Sequence, residues 1–186
     1  MGFKMKKALA LLAVASLLFF GCAENSSVVG PEQSSSSEVV KLSSQSTGKY
    51  QNNIQSDYSV SELIDGEKGG KIEFSFNHGD IEGDLKIPGG AFDSEQEITI
   101  TISSTEAVID FGPSPFSFNK NLEFSITYKG VELNPSDEKN LKFVYFDGNG
   151  QQTDVDYEKI KVDVRKGELG IKGAKLEHFS RYGFVR

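Results

Sequence analysis

From Gly66 to Arg186, apolar side chains return at every second position in short runs separated by Gly, Pro, Asn and Asp, which is the period of a half-buried strand. Ile72, Phe74 and Phe76 share one face and stop at Asn77-His78-Gly79-Asp80. Ile81, Leu85 and Ile87 form the next run, with Gly83 a gap in the apolar row, and Pro88-Gly89-Gly90 ends it. The clearest strand interleaves Ile98, Ile100 and Ile102 with Thr99 and Thr101. Leu122, Phe124, Ile126 and Tyr128 repeat the pattern, and Leu141, Phe143 and Tyr145 carry it to the turn Asp147-Gly148-Asn149-Gly150. Val155 and Tyr157 also alternate, but Ile160, Val162 and Val164 start three residues after Tyr157. A one-residue slip turns inward side chains outward, so the pattern predicts a bulge or short turn near Glu158-Lys159. After a turn at Lys166-Gly167 come Leu169 and Ile171, then a closing strand from Leu176 to Gly183. No comparable stretch has helical spacing. The fold class expected is all-β, an antiparallel β-sandwich.

Residues 66–186 number 121, enough for one hydrophobic core. Residues 22–65 are polar and rich in Ser, Gln and Asn, with Ser34-Ser35-Ser36-Ser37 among them, and have too little apolar surface to offset the entropy of ordering a backbone. They read as a flexible tether. The exceptions are Val39, Val40, Leu42 and the run from Tyr58 to Ile64, which can form a short element on the domain edge.

The N-terminus adds an address. Lys4, Lys6 and Lys7 precede thirteen apolar or small residues, Ala8 to Phe20, and then Gly21-Cys22. That length suits a signal-peptide core and falls short of a membrane span. A small residue and a cysteine directly after the apolar run resemble the bacterial lipoprotein signal. The resemblance implies a signal peptide over 1–21, a lipidated Cys22 as the new N-terminus, and a lipid-anchored location in the cell envelope, at the outer membrane. Phe19 departs from the aliphatic residue usual there.

Composition removes several functions. Cys22 is the only cysteine, so no disulfide can close within one chain, and with Cys22 given to lipid neither a cysteine nucleophile nor a tetrahedral Cys/His zinc site with His78 and His178 is available. The formal charge is −7, and loss of the three signal lysines takes it to −10. Nucleic-acid binding needs Lys and Arg to neutralise phosphates, and no basic run stands out here.

Three stretches, in order, resemble the ZU-five domain (zona occludens and Unc-five). They are Gly83-Asp84-Leu85-Lys86-Ile87-Pro88-Gly89-Gly90-Ala91-Phe92, the Gly-Pro segment Phe111-Gly112-Pro113-Ser114-Pro115-Phe116-Ser117-Phe118-Asn119-Lys120-Asn121-Leu122, and His178-Phe179-Ser180. Gly89, Gly90 and Asn121 depart from the family pattern at turn and strand-entry positions. The resemblance covers residues 69–186 and implies a ZU-five-like sandwich. In self-cleaving members a serine hydroxyl attacks the carbonyl before it with help from a histidine. Carried over, Ser180 is the nucleophile, Phe179–Ser180 the scissile bond and His178 the base. That chemistry also needs strain or an oxyanion donor at the bond. The plainer reading places His178 and Ser180 on one face of a closing strand, as alternate residues must be, with Tyr182 anchoring its end.

Asp147 and the acids Asp154, Asp156 and Glu158 invite a calcium reading, since that ion takes several oxygen ligands. Asn149-Gly150 is already accounted for as a hairpin turn and alternating acids as a solvated face, so no metal site and no cofactor is expected. The function expected is a lipid-anchored binding or scaffolding module with a protein or polysaccharide ligand in the envelope and no catalytic activity. Self-cleavage is the alternative, and sugar or cell-wall binding a further one that the absence of tryptophan weakens.

Overall fold

A computed structural model describes residues 37–42 and 56–186. The alternating runs become eleven strands: β1 (Tyr58–Asp65), β2 (Gly70–Phe76), β3 (Ile81–Ile87), β4 (Glu95–Ile102), β5 (Val108–Gly112), β6 (Phe116–Tyr128), β7 (Lys142–Phe146), β8 (Gln152–Asp154), β9 (Lys159–Asp163), β10 (Glu168–Phe179) and β11 (Arg181–Val185). One helical turn, α1 (Asp137–Asn140), stands before β7. Every pairing is antiparallel, in a six-stranded sheet ordered β1-β4-β5-β11-β7-β8 and a five-stranded sheet ordered β2-β3-β6-β10-β9. The inward rows interleave as one core: Ile98, Ile100 and Ile102 of β4 are fully buried, as are Leu122 and Phe124 of β6. Phe111 of the six-stranded sheet meets Phe124 of the five-stranded sheet edge to face at 4.9 Å. The chain is therefore an all-β sandwich.

The gap at Gly83 is filled from the neighbouring strand. Gly83 pairs with Phe74 on β2, and a Cβ there would lie 2.5 Å from the tip of the Phe74 ring and 2.5 Å from the Ser125 carbonyl. The missing side chain makes room for an aromatic one.

Two expectations are corrected, the domain boundary and the single closing strand, and two others are made specific. The boundary at residue 66 falls too late. Tyr58–Asp65 is an eight-residue edge strand paired along its length with β4, so the whole run from Tyr58 to Ile64 belongs to the sheet. In line with the exception made for Val39, Val40 and Leu42, residues 38–42 also join the fold, as a strap between the end of β11 and residues 105–107. The amides of Glu38 and Arg186 each donate to the other's carbonyl, Val40 donates to Phe184, Leu42 to Thr105, and Ala107 to Val40. Val40 is fully buried in the main core, and Val39 packs on a second cluster of Val144, Phe146 and Val185. Buried valines compensate here for polar flanks that predict a tether.

Of the bulge or short turn expected near Glu158-Lys159, the structure has a bend at Glu158 and no bulge. β8 belongs to one sheet and β9 to the other, so residues 155–158 carry the chain across the sandwich and the inward face is redefined. Val164 lies in the turn beyond β9 and not in a strand.

The closing strand is not one strand. β10 ends at Phe179 in the five-stranded sheet, β11 starts at Arg181 in the six-stranded sheet, and Ser180 between them is a bend.

Candidate functional site

His178, Phe179 and Ser180 stand where the chain changes sheets. The pairing of β10 with β6 breaks register between Leu176 and His178, which frees the backbone to turn. Ser180 belongs to neither ladder, and its carbonyl accepts a hydrogen bond from the Phe111 amide at 2.9 Å. Side-chain alternation does not pass through a bend, so the expectation that His178 and Ser180 share a strand face fails.

The His178 ring is half-buried against Tyr145, centroid to centroid 4.5 Å. The Tyr182 hydroxyl donates to the His178 carbonyl at 2.8 Å and lies 3.3 Å from His178 Nδ1. With its one proton donated to the carbonyl, that oxygen is left to accept a proton from the ring nitrogen. Burial foremost, then Tyr145 and Glu177 nearby, raises the ionisation of Tyr182 well above an ordinary tyrosine's. Among the described residues Ser180 Oγ makes no hydrogen bond, so the structure does not join the expected nucleophile to the expected base.

A residue that sequence reasoning missed stands on the other side of the bond. Ser114 Oγ donates to the Phe179 carbonyl at 3.0 Å. That oxygen would carry the charge if Ser180 attacked. Phe179 itself is buried, stacked on Phe111 and Phe116 and edge-on to Phe118 at 4.7 Å. Ser114 lies in the Gly-Pro segment between β5 and β6, 65 residues from Phe179 in sequence, and nothing in its local pattern announces the contact. Phe92 meets Phe116 edge to face, and the Asn119 amide donates to the Ala91 carbonyl. The three stretches singled out in the sequence thus meet at one end of the sandwich.

Of the acids considered for calcium, Asp147, Asp154 and Glu158 are engaged, Glu158 with Lys172 at 3.1 Å. Asp147 Oδ1 accepts the amides of Asn149 and Gln151, each at 2.8 Å, which makes it the cap of its own turn. Asp154 is paired with Lys142 at 2.9 Å. Among the described residues no three metal-ligating side chains come together. Cys22 lies outside the described residues.

A second candidate lies on the outer face of the five-stranded sheet, an open groove of about 390 Å³. Outward positions of β2, β3 and β6 line it with Glu73, Ser75, Glu82, Asp84, Ser125 and Thr127. Glu73 is bonded to Lys71, and Glu82 is 3.6 Å from Lys129. Asp84 is in register with Glu73 on one side and Ser125 on the other. Among the described residues its Oδ2 is enclosed without a hydrogen-bond partner.

No family model and no curated protein matches this chain.

Proposed function

We propose that this is a lipid-anchored cell-envelope protein whose β-sandwich, ZU-five-like in its three motif stretches, serves as a binding or scaffolding module. The groove on the outer face of the five-stranded sheet supports the binding role. It offers carboxylates and hydroxyls to solvent from three paired strands, a rigid platform for hydrogen-bonded recognition. The anchor rests on the leader and Cys22. The decisive experiment for the anchor is labelling of cells with a clickable fatty acid: the wild type takes up label and sediments with membranes, and Cys22→Ala does neither. Equal membrane association of both would overturn the anchor.

A second reading, self-cleavage, is favoured by one observation, the hydroxyl of Ser114 on the Phe179 carbonyl. In that reaction Ser180 Oγ attacks the Phe179 carbonyl carbon, its proton passes through His178 to the Ser180 nitrogen, and the C–N bond breaks to leave an ester. Water then divides the ester into a Phe179 carboxylate and the free hydroxyl. Ser114 would stabilise the oxyanion, an interaction worth about 10²–10³ in rate where a single such donor has been removed. The denatured mass of the mature chain decides the matter. A fragment ending at Phe179, absent from Ser180→Ala and slower to appear in Ser114→Ala, supports cleavage; an intact wild-type chain ends it.

A further inference from the structure

Three of the four sheet edges are guarded against a further strand. The edges at β2 and β9 carry Lys71, Lys159 and Lys161, and β8 is only three residues long, devices that keep an edge from pairing with another chain. β1 has none of them. It runs for eight residues with no Lys, no Pro and no register shift against β4. The Gly66 amide donates to the Ser94 carbonyl in that same register, so even-numbered residues of β1 turn their backbone groups to β4 and odd-numbered ones turn away. Ser59, Ser61 and Leu63, all exposed, therefore present their N–H and C=O groups along the outer side of the sheet, where among the described residues no strand pairs with them. The row is held in place, since the hydroxyls of Ser59 and Ser61 are bonded to those of Thr101 and Thr99. Leu63 is 63% exposed. Glu62 beside it is exposed too, and among the described residues neither Glu62 nor Glu97, which faces Leu63 across the ladder, is in an ion pair.

We propose that β1 takes up an extended segment of a partner protein as an added antiparallel strand, with an aliphatic side chain beside Leu63 and a Lys or Arg opposite Glu62. Donors and acceptors at strand spacing match another extended backbone, the exposed leucine selects the aliphatic neighbour, and the unpaired carboxylates select the cation. A second copy of this chain fits the edge poorly, because edge-to-edge pairing brings two Glu62 side chains together between molecules of formal charge −7. The inference rests on the reading of this chain as a binding module and gives it a peptide site, on the other sheet from the groove.

The test uses the mature chain with Cys22→Ser and the peptide Thr-Val-Lys-Thr-Val-Thr-Lys, whose first Val meets Leu63 when its first Lys meets Glu62. Amide shifts and amide hydrogen exchange are followed by NMR. Saturable shifts along residues 58–65, with exchange at Ser59, Ser61 and Leu63 slowed about tenfold or more, support the proposal. Replacing the first Lys by Glu should weaken binding about threefold, the scale of an exposed ion pair, and Glu62→Lys should reverse that preference. Ser61→Pro removes an N–H that the fold does not use and should abolish binding. N-methylation of the first Val should abolish it as well, whereas N-methylation of the adjacent Lys, whose amide points away from β1, should not. No saturable shift, or equal affinity for the Lys and Glu peptides, overturns the proposal. So does protection of the same three amides by self-association, read by sedimentation without peptide. Photo-crosslinkers at Leu63 and at Ser75 in cells separate this inference from the reading beneath it. Capture at Ser75 alone overturns the strand site and leaves the binding module standing, and capture at neither overturns both.

Discussion

Tyr128 puts a polar atom in the worst place for one. Its side chain lies on the inward face of β6, 1% exposed, with the ring edge-on to Phe184 at 6.1 Å. Among the described residues the hydroxyl has no hydrogen-bond partner, and burial drives its ionisation far above a tyrosine's usual range. A buried, unsatisfied donor costs about 1–3 kcal/mol, whereas the ring contacts survive in phenylalanine. Tyr128→Phe should therefore stabilise the fold by about 1–2 kcal/mol. At this chain length each kcal/mol moves the melting temperature by roughly 3–4 °C. The assay is calorimetric melting of the mature chain with Cys22→Ser. Tyr182→Phe is the matched control, because the Tyr182 hydroxyl donates to the His178 carbonyl at 2.8 Å. Its loss should lower stability by about 1 kcal/mol. Opposite signs for the same chemical change would show that hydrogen bonding, and not ring size, sets the difference. A melting temperature for Tyr128→Phe equal to or below the wild type would refute the reasoning, since it would mean that the hydroxyl has a partner.

Further outcomes follow from single contacts. Val40→Ala should cost about 2 kcal/mol in urea unfolding, as truncation of a fully buried aliphatic side chain does; a neutral result would return residues 38–42 to the tether. Gly83→Ala should cost about 1–3 kcal/mol through overpacking against Phe74 and the Ser125 carbonyl, while Gly148→Ala, with no atom within 4 Å of the new Cβ, should leave the urea midpoint where it is. Asp65, Glu73, Glu123 and Glu168 have lowered pKa values, each chiefly through a hydrogen bond from a lysine, Lys68, Lys71, Lys175 and Lys161 respectively. Folded values below unfolded ones mean that their contribution is complete above the ordinary carboxylate range and is lost as pH falls through the folded values. Urea midpoints should hold between pH 7 and 5 and drop below about pH 4, less steeply in high salt; a flat profile to pH 3 would count against it.

Much of the sandwich is legible because a half-buried strand writes its inward face at every second residue. Ile98, Ile100 and Ile102 are the plainest case, and all three are fully buried. Gly83 is legible as a gap but not as a cause, since its partner Phe74 is known only once β2 and β3 are in register. The strap is half legible: Val39, Val40 and Leu42 stand out as apolar in a polar stretch, but Val39 and Val40 point to different clusters, so the pair shows neither period. β5 escapes for a similar reason: Val108, Ile109 and Phe111 are all buried, and apolar residues on both faces erase the alternation. Residues 155–158 mislead because a change of sheet and a bulge shift the phase alike. Of the closing site, sequence finds His178, Phe179 and Ser180 but not Ser114, whose contact depends on a loop folding back across 65 residues. The groove is beyond reach in the same way, as its six side chains come from three strands and meet only in register.

The position of β11 has a consequence for how the chain acquires its structure. It lies between β5 and β7 and joins the two halves of the six-stranded sheet, and the strap from the opposite end of the fold closes against its last residues. Ribosomal synthesis supplies these residues after every strand they must bridge, so until they emerge the sheet is two separate ribbons with an open slot between them. Closure then depends on contacts distant in sequence, which makes folding slow and late. The six-stranded sheet is thus complete only once residues 181–185 stand between β5 and β7.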